Sequence, residues 1–213
     1  MPRRLANVHQ AFWDELAEAL DFFNRGFAGI DRTTGRHVFT NQQKLVLAEA
    51  TFLLCCVAWE RFLEYSFACY ITGERARSGY RTRRIRRMDM SVAEARRIVL
   101  GDNKFVGWVD AKIVGSRAKK WFEDGEPFST ALAGGSNLLN YLQLMRNVIA
   151  HDSGSAFESF KNATRISFGS VPAGLSAGGQ LVTPCPASLG GVGANLLDTA
   201  VAYYRLMSDQ IVP

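Results

Sequence analysis

The sequence predicts an all-α fold, a bundle of antiparallel helices with a short β-hairpin or irregular loop before the last one. Three observations predict it. Apolar residues recur at three- and four-residue intervals through most of the chain. Thr40 with Gln43 and Ser91 with Glu94 have the spacing of capping boxes, in which a hydroxyl and a side chain three residues on close a helix start. Glycine and proline gather in a single charge-free stretch, 166–197, which holds seven Gly and three Pro and so interrupts the helical pattern only once on that scale.

Each element follows in order. A first helix is expected over 8–25, with Phe12, Leu16, Ala19, Leu20 and Phe23 on one face and Gly26 at its end. A polar connection leads to a longer helix over 40–72. Nearly every position of that helix from Leu45 to Ile71 other than Glu or Arg is apolar, so it should be largely buried. Residues 91–100 and 105–122 read as helices, the latter with a break at Gly115. A loop is expected over 125–135, a helix over 137–151, and a breaker at Asp152-Ser153-Gly154. Ser155 and Glu158 then cap a short helix to about 164. The hairpin or irregular loop fills 166–193, and the last helix spans 194–211.

Composition narrows the function classes. The chain has 213 residues, 47% of them hydrophobic and 21% charged, which describes an ordinary globular protein of one domain, at most with a small appendage. The formal charge of +5 is compatible with a polyanionic partner without requiring one. Cys55, Cys56, Cys69 and Cys185 have no CxxC pair and no zinc-type Cys/His spacing, so they read as buried reduced thiols. A cytoplasmic protein without a membrane span or signal-peptide core is the expectation. No Walker loop, dinucleotide fingerprint or GxSxG elbow is present.

Three histidines exist. His9, at a helix start, and His37, in a polar loop, read as exposed surface residues. His151 has more telling neighbours. On a helical wheel Asn140, Asn147 and His151 fall within about 40° of one another, opposite Leu138, Leu142, Met145 and Ile149. Such a stripe is either a plain solvated face or part of a site with Arg146. The wheel separates Arg146 from His151 by about 140°, so their convergence requires a frayed helix end, a long Arg reach or a second chain. Arginine offers a charged fork to phosphate, Asn orients, and His exchanges protons near neutral pH. Together they suit phosphodiester chemistry without a metal or other cofactor.

Two further groups bear on such chemistry. Glu49, Glu60 and Glu64 share one side of the long helix, either as a solvated strip or with Glu60 or Glu64 holding Arg146. Arg75, Arg77, Arg81, Arg83, Arg84, Arg86 and Arg87 crowd one short segment beside Tyr80. That segment is either a solvated loop or an RNA contact, for which Arg81, Arg83, Arg84, Arg86 and Arg87 are the candidates.

The run Arg146-Asn147-Val148-Ile149-Ala150-His151 resembles the signature of the HEPN superfamily: Arg, a polar residue, a few more residues, then His. Ala58-Trp59-Glu60-Arg61-Phe62-Leu63-Glu64 in a long helix followed by Gly73 is similar to that family's first core helix, and here too a final helix closes the chain. The resemblance covers roughly 40–213, leaving 1–39 as an added N-terminal helix and connection. It implies a homodimer that joins two Arg/His motifs in one cleft. It also implies a metal-independent endoribonuclease of toxin or antiphage-defence type, with a cognate antitoxin as a partner to look for. The alternative within the family is a non-catalytic RNA-binding or regulatory dimer. One toxin branch carries a modifiable tyrosine two residues after the histidine; Ser153 stands there, so that regulation is not expected. Arg146, Asn147 and His151 are then the catalytic candidates, with Glu60 and Glu64 in support. A second copy would also supply the second proton-transfer group that phosphodiester cleavage calls for, since each chain offers a single candidate, His151.

Overall fold

The computed structural model describes residues 5–86, 88–101, 107–151, 153–191 and 193–213. Among the described residues the chain is helical and carries no β-sheet. Its helices are α1 (Leu5–Ala28), α2 (Asn41–Thr72), α3 (Val92–Leu100), α4 (Ala111–Trp121), α5 (Phe128–Ala133), α6 (Ser136–Ala150), α7 (Gly154–Phe168), α8 (Ala177–Leu181) and α9 (Leu196–Ile211). Strand-type pairing is confined there to two isolated bridges, Ile30 with His37 and Arg84 with Phe122.

The long helix α2 shows how local chemistry sets the boundaries. At its start the Thr40 hydroxyl accepts from the Gln43 amide at 3.2 Å while the Gln43 side chain accepts from the Thr40 amide at 2.8 Å, a complete capping box. Its interior holds neither Gly nor Pro. Its end is a Schellman motif: Gly73, at φ 85°, donates to the Tyr70 carbonyl and Glu74 donates to the Cys69 carbonyl. Glycine takes that left-handed conformation without the steric cost other residues meet. The thiols of Cys55, Cys56 and Cys69 are buried along this helix and unbridged, and Cys185 is partly exposed.

The chain divides into two compact units. One comprises Met1–Trp13, Ala58–Leu139 and Tyr203–Pro213. Its core is aromatic, with Phe12, Trp59, Phe62 and Tyr204 in one group and Phe67, Tyr70, Phe122 and Phe128 in another. The buried Tyr70 hydroxyl donates to the Ile211 carbonyl. The other unit comprises Asp14–Val57 and Asn140–Ala202. There Tyr141 packs on Phe160 and Phe168, and its hydroxyl shares a hydrogen bond with Thr164 at 3.0 Å.

Several expectations shift. Asp110 caps α4 by accepting from Lys112 and Ile113 at 2.8 and 3.2 Å, so this helix begins later than 105 and runs through Gly115 unbroken. Residues 105 and 106 lie outside the described residues. The loop expected over 125–135 contains α5, which buries Phe128, Ala131 and Leu132. Ser153, not Ser155, caps α7, and that helix extends to Phe168. Where a hairpin or irregular loop was expected before the last helix, the described residues form no strand pair and include the short helix α8.

Glu49 explains how α8 is held. Its carboxylate accepts from the Gly178 amide at 2.8 Å in the first turn of α8. This contact brings backbone to backbone, since a Cβ on Gly178 would lie 2.6 Å from the Leu45 carbonyl oxygen. Backbone cannot rotate aside as a side-chain tip can. Gly178→Ala should therefore cost about 1–3 kcal/mol, the range for overpacking a tight interior. Urea unfolding checks it: an unchanged midpoint would mean that α8 moves away at no cost.

Candidate active site

The Arg146 and His151 side chains meet where α6 ends. Helix α6 forms because Leu138, Leu139, Tyr141, Leu142 and Met145 make a continuous buried face. The amide of His151 closes the last turn on the Asn147 carbonyl at 2.9 Å, and His151 itself is no longer helical. The Ser153 amide donates to the His151 carbonyl at 2.8 Å. The Ser153 hydroxyl accepts from the Ala156 amide at 3.2 Å to begin α7. His151 thus occupies the joint between two helices and is exposed.

The two side chains approach one another despite the separation of about 140° on the wheel. The Arg146 Nη1 lies 3.5 Å from His151 Nε2, the outer edge of hydrogen-bond distance. A guanidinium only donates, so a hydrogen bond in this contact has Nε2 as its acceptor. Asn147 is half-exposed, and its side-chain amide makes no hydrogen bond to another described residue. A proton-transfer ring, a cation and an amide therefore share one helix end.

The glutamates have other partners than a solvated strip would give them. Glu64 accepts from Arg96, with Nη2 to Oε1 at 2.6 Å and Nε to Oε1 at 2.8 Å. Arg96 also stacks over the Tyr65 ring at 4.1 Å and donates to its hydroxyl at 2.9 Å. Glu60 is half-buried. Glu49 is occupied by α8, as described above. Half-burial explains why Glu49 and Glu64 take bonded partners.

The arginine segment is anchored rather than loose. Arg84 Nη1 donates to the Ile71 carbonyl at 2.9 Å and Arg81 Nε to the Gly73 carbonyl at 3.2 Å, so two guanidiniums finish the C-terminus of α2. Positive charge is favourable there because the helix dipole ends in unpaired carbonyls. Backbone bonds from Ile85 to the Trp121 carbonyl and from Glu123 to the Arg83 carbonyl, both 2.9 Å, pin the segment further. Arg83 reaches Glu123 at 3.4 Å across solvent. Arg75, Arg77, Arg81, Arg83 and Arg86 are exposed, and a small cavity of about 230 Å³ opens among Arg81, Thr82, Arg83 and Arg84. Arg87 lies outside the described residues.

Sequence reasoning missed His9. Instead of lying on the surface it is half-buried and bonded to Asp209 and Ser208. Both partners lie some two hundred residues away, so no local spacing signals them. His37 is exposed, as expected. No group of three or more His, Cys, Asp or Glu among the described residues is placed to hold a metal ion. No helix among them is long and apolar enough to cross a membrane. No protein-family model matches the chain, and no curated protein or solved structure matches it either.

Proposed function

We propose that the chain is a metal-independent endoribonuclease of HEPN type, working as a homodimer in toxin or antiphage defence. The observation that carries the reading is the approach of Arg146 to His151 at the exposed end of α6. In this reading His151 accepts the proton of an RNA 2′-hydroxyl as its oxygen attacks the adjacent phosphorus. The 5′-oxygen leaves and takes a proton from the His151 of a second copy. Arg146 stabilises charge growing on the phosphoryl oxygens, where a donor already in place is worth most. Asn147 positions the phosphate. The products are a 2′,3′-cyclic phosphate and a 5′-hydroxyl. The exposed arginines Arg83 and Arg86 carry the backbone of the substrate, through charge and without reading sequence.

The test is purified protein, free of any inhibitor, with total RNA in excess chelator, the new ends being typed chemically. Cyclic phosphate ends support the reading. Intact RNA that nevertheless binds the protein makes the non-catalytic RNA-binding dimer the better one. Cleavage that appears only with an added divalent metal sinks the mechanism. A strict monomer by light scattering, at concentrations where the protein cleaves, removes the second His151 from the scheme.

A further inference from the structure

A cavity of about 720 Å³ opens in the unit built around Trp59 and Phe67, among residues outside the Arg146 motif. It is lined by Asn7, His9 and Gln10 of α1, Arg77 and Ser78 of the arginine segment, and Asp209 of α9. Its volume falls in the range of small-molecule sites. The hydrogen bonding of His9 is fixed by its neighbours. The Ser208 hydroxyl, fully buried, gives its single proton to the Arg205 carbonyl at 2.7 Å and accepts from Trp13 Nε1 at 3.1 Å. Toward His9 Nε2, also at 3.1 Å, it can therefore only accept. The Asp209 carboxylate, 3.0 Å from the same nitrogen, likewise only accepts. His9 Nε2 carries the proton whatever the charge of the ring, and Nδ1 is left as the acceptor of the neutral form.

Burial holds the His9 pKa below its ordinary value, and the nearby Arg77 charge adds to that effect, against the attraction of Asp209. The ring is thus favoured in its neutral state, with tilted contacts to Trp13 and Phe62 securing its orientation. Asp209 is about half exposed, 52%, and only one of its oxygens is bound to His9. Arg77 is exposed and makes no hydrogen bond or ion pair with a described residue. Arg77, Asp209 and His9 thus line one cavity, a cation beside two groups with acceptor capacity.

We propose that this cavity binds a small polyhydroxylated anion, a sugar phosphate or sugar acid, with the anionic group on Arg77 and hydroxyls donating to Asp209 and to Nδ1 of His9. An arginine fork meets phosphate and carboxylate oxygens alike, and a carboxylate beside a neutral imidazole is a ready acceptor pair for hydroxyls. This site is separate from the proposed nuclease centre and does not depend on that reading.

The experiment follows the imidazole nitrogens of His9 by NMR in the full chain, where only three histidines need assignment. The probes are ribose 5-phosphate, gluconate and uncharged ribose. Before any probe is added, His9 should show the Nε2–H tautomer at neutral pH. At least one of the two anions should shift Nδ1 to saturation, and which one does distinguishes phosphate from carboxylate. Ribose should bind about tenfold more weakly or worse, and Arg77→Gln should weaken the anion to a similar degree, the worth of a charge-assisted contact. Asp209→Asn, a second exposed change that spares the fold, should weaken it as well. An Nδ1–H tautomer, silence toward both anions, ribose binding equal to theirs, or an Arg77→Gln protein that binds like the wild type overturns the proposal.

Discussion

On the proposed nuclease reading, RNA cleavage should fall by about 100-fold or more when His151 is replaced by alanine, the usual worth of a group that moves a proton in the transition state. The fold should not notice. His151 is exposed and its structural contribution is a backbone one, the amide that closes α6 on Asn147. An exposed substitution of that sort changes stability by only about 0.5 kcal/mol either way. Arg146→Ala should cost about 10²–10³ in rate if its guanidinium meets the developing charge. Arg146→Lys should recover only part of that loss, because a point charge replaces a planar fork. Single-turnover rates beside melting temperatures check the set. A His151→Ala protein that cleaves at the wild-type rate would remove the residue from the chemistry.

Trp59→Ala should be the most destabilising single change, at about 3–5 kcal/mol, the range for emptying a buried aromatic site. Trp59 is 1% exposed. It stacks on Tyr204 at 5.1 Å and on Phe62 at 5.6 Å, and meets Phe12 at a tilt at 5.7 Å. Those rings come from α1, α2 and α9, so the vacated volume has no single flexible neighbour to fill it. Equilibrium unfolding in urea measures the loss. A cost below about 1 kcal/mol, the level of a typical point change, would show that the neighbouring rings collapse into the gap.

The helices were legible in the sequence wherever the signal was local. Thr40 with Gln43 and Ser91 with Glu94 marked two starts because a capping box is complete within four residues. Asp110 escaped because the apolar pattern around it continues across the cap, and α5 because its six residues between Pro127 and Gly134 resemble a loop until Phe128 is seen buried. The candidate site was legible as a residue set but not as a geometry. The helical wheel kept Arg146 and His151 apart, whereas their side chains come to 3.5 Å where α6 ends, a distance that side-chain reach decides and a wheel does not show. The partners of Glu64 and His9 were hidden for a simpler reason: Arg96 and Asp209 are distant in sequence, and no spacing rule reaches them.

The two guanidiniums at the end of α2 set a competition. The carbonyls of Ile71 and Gly73 act as a tethered ligand for Arg84 and Arg81, present at fixed stoichiometry and never diluted. A phosphate that takes the same edge of either guanidinium competes with that ligand, so its apparent affinity there is the difference between two bindings. A charge-removing scan along the segment therefore reads different quantities at different positions. At Arg86, exposed and outside this competition, it reads attraction for a polyanion alone. At Arg81 and Arg84 it reads that attraction together with the fraying of a helix end, and a bound polyanion would itself loosen the last turn of α2.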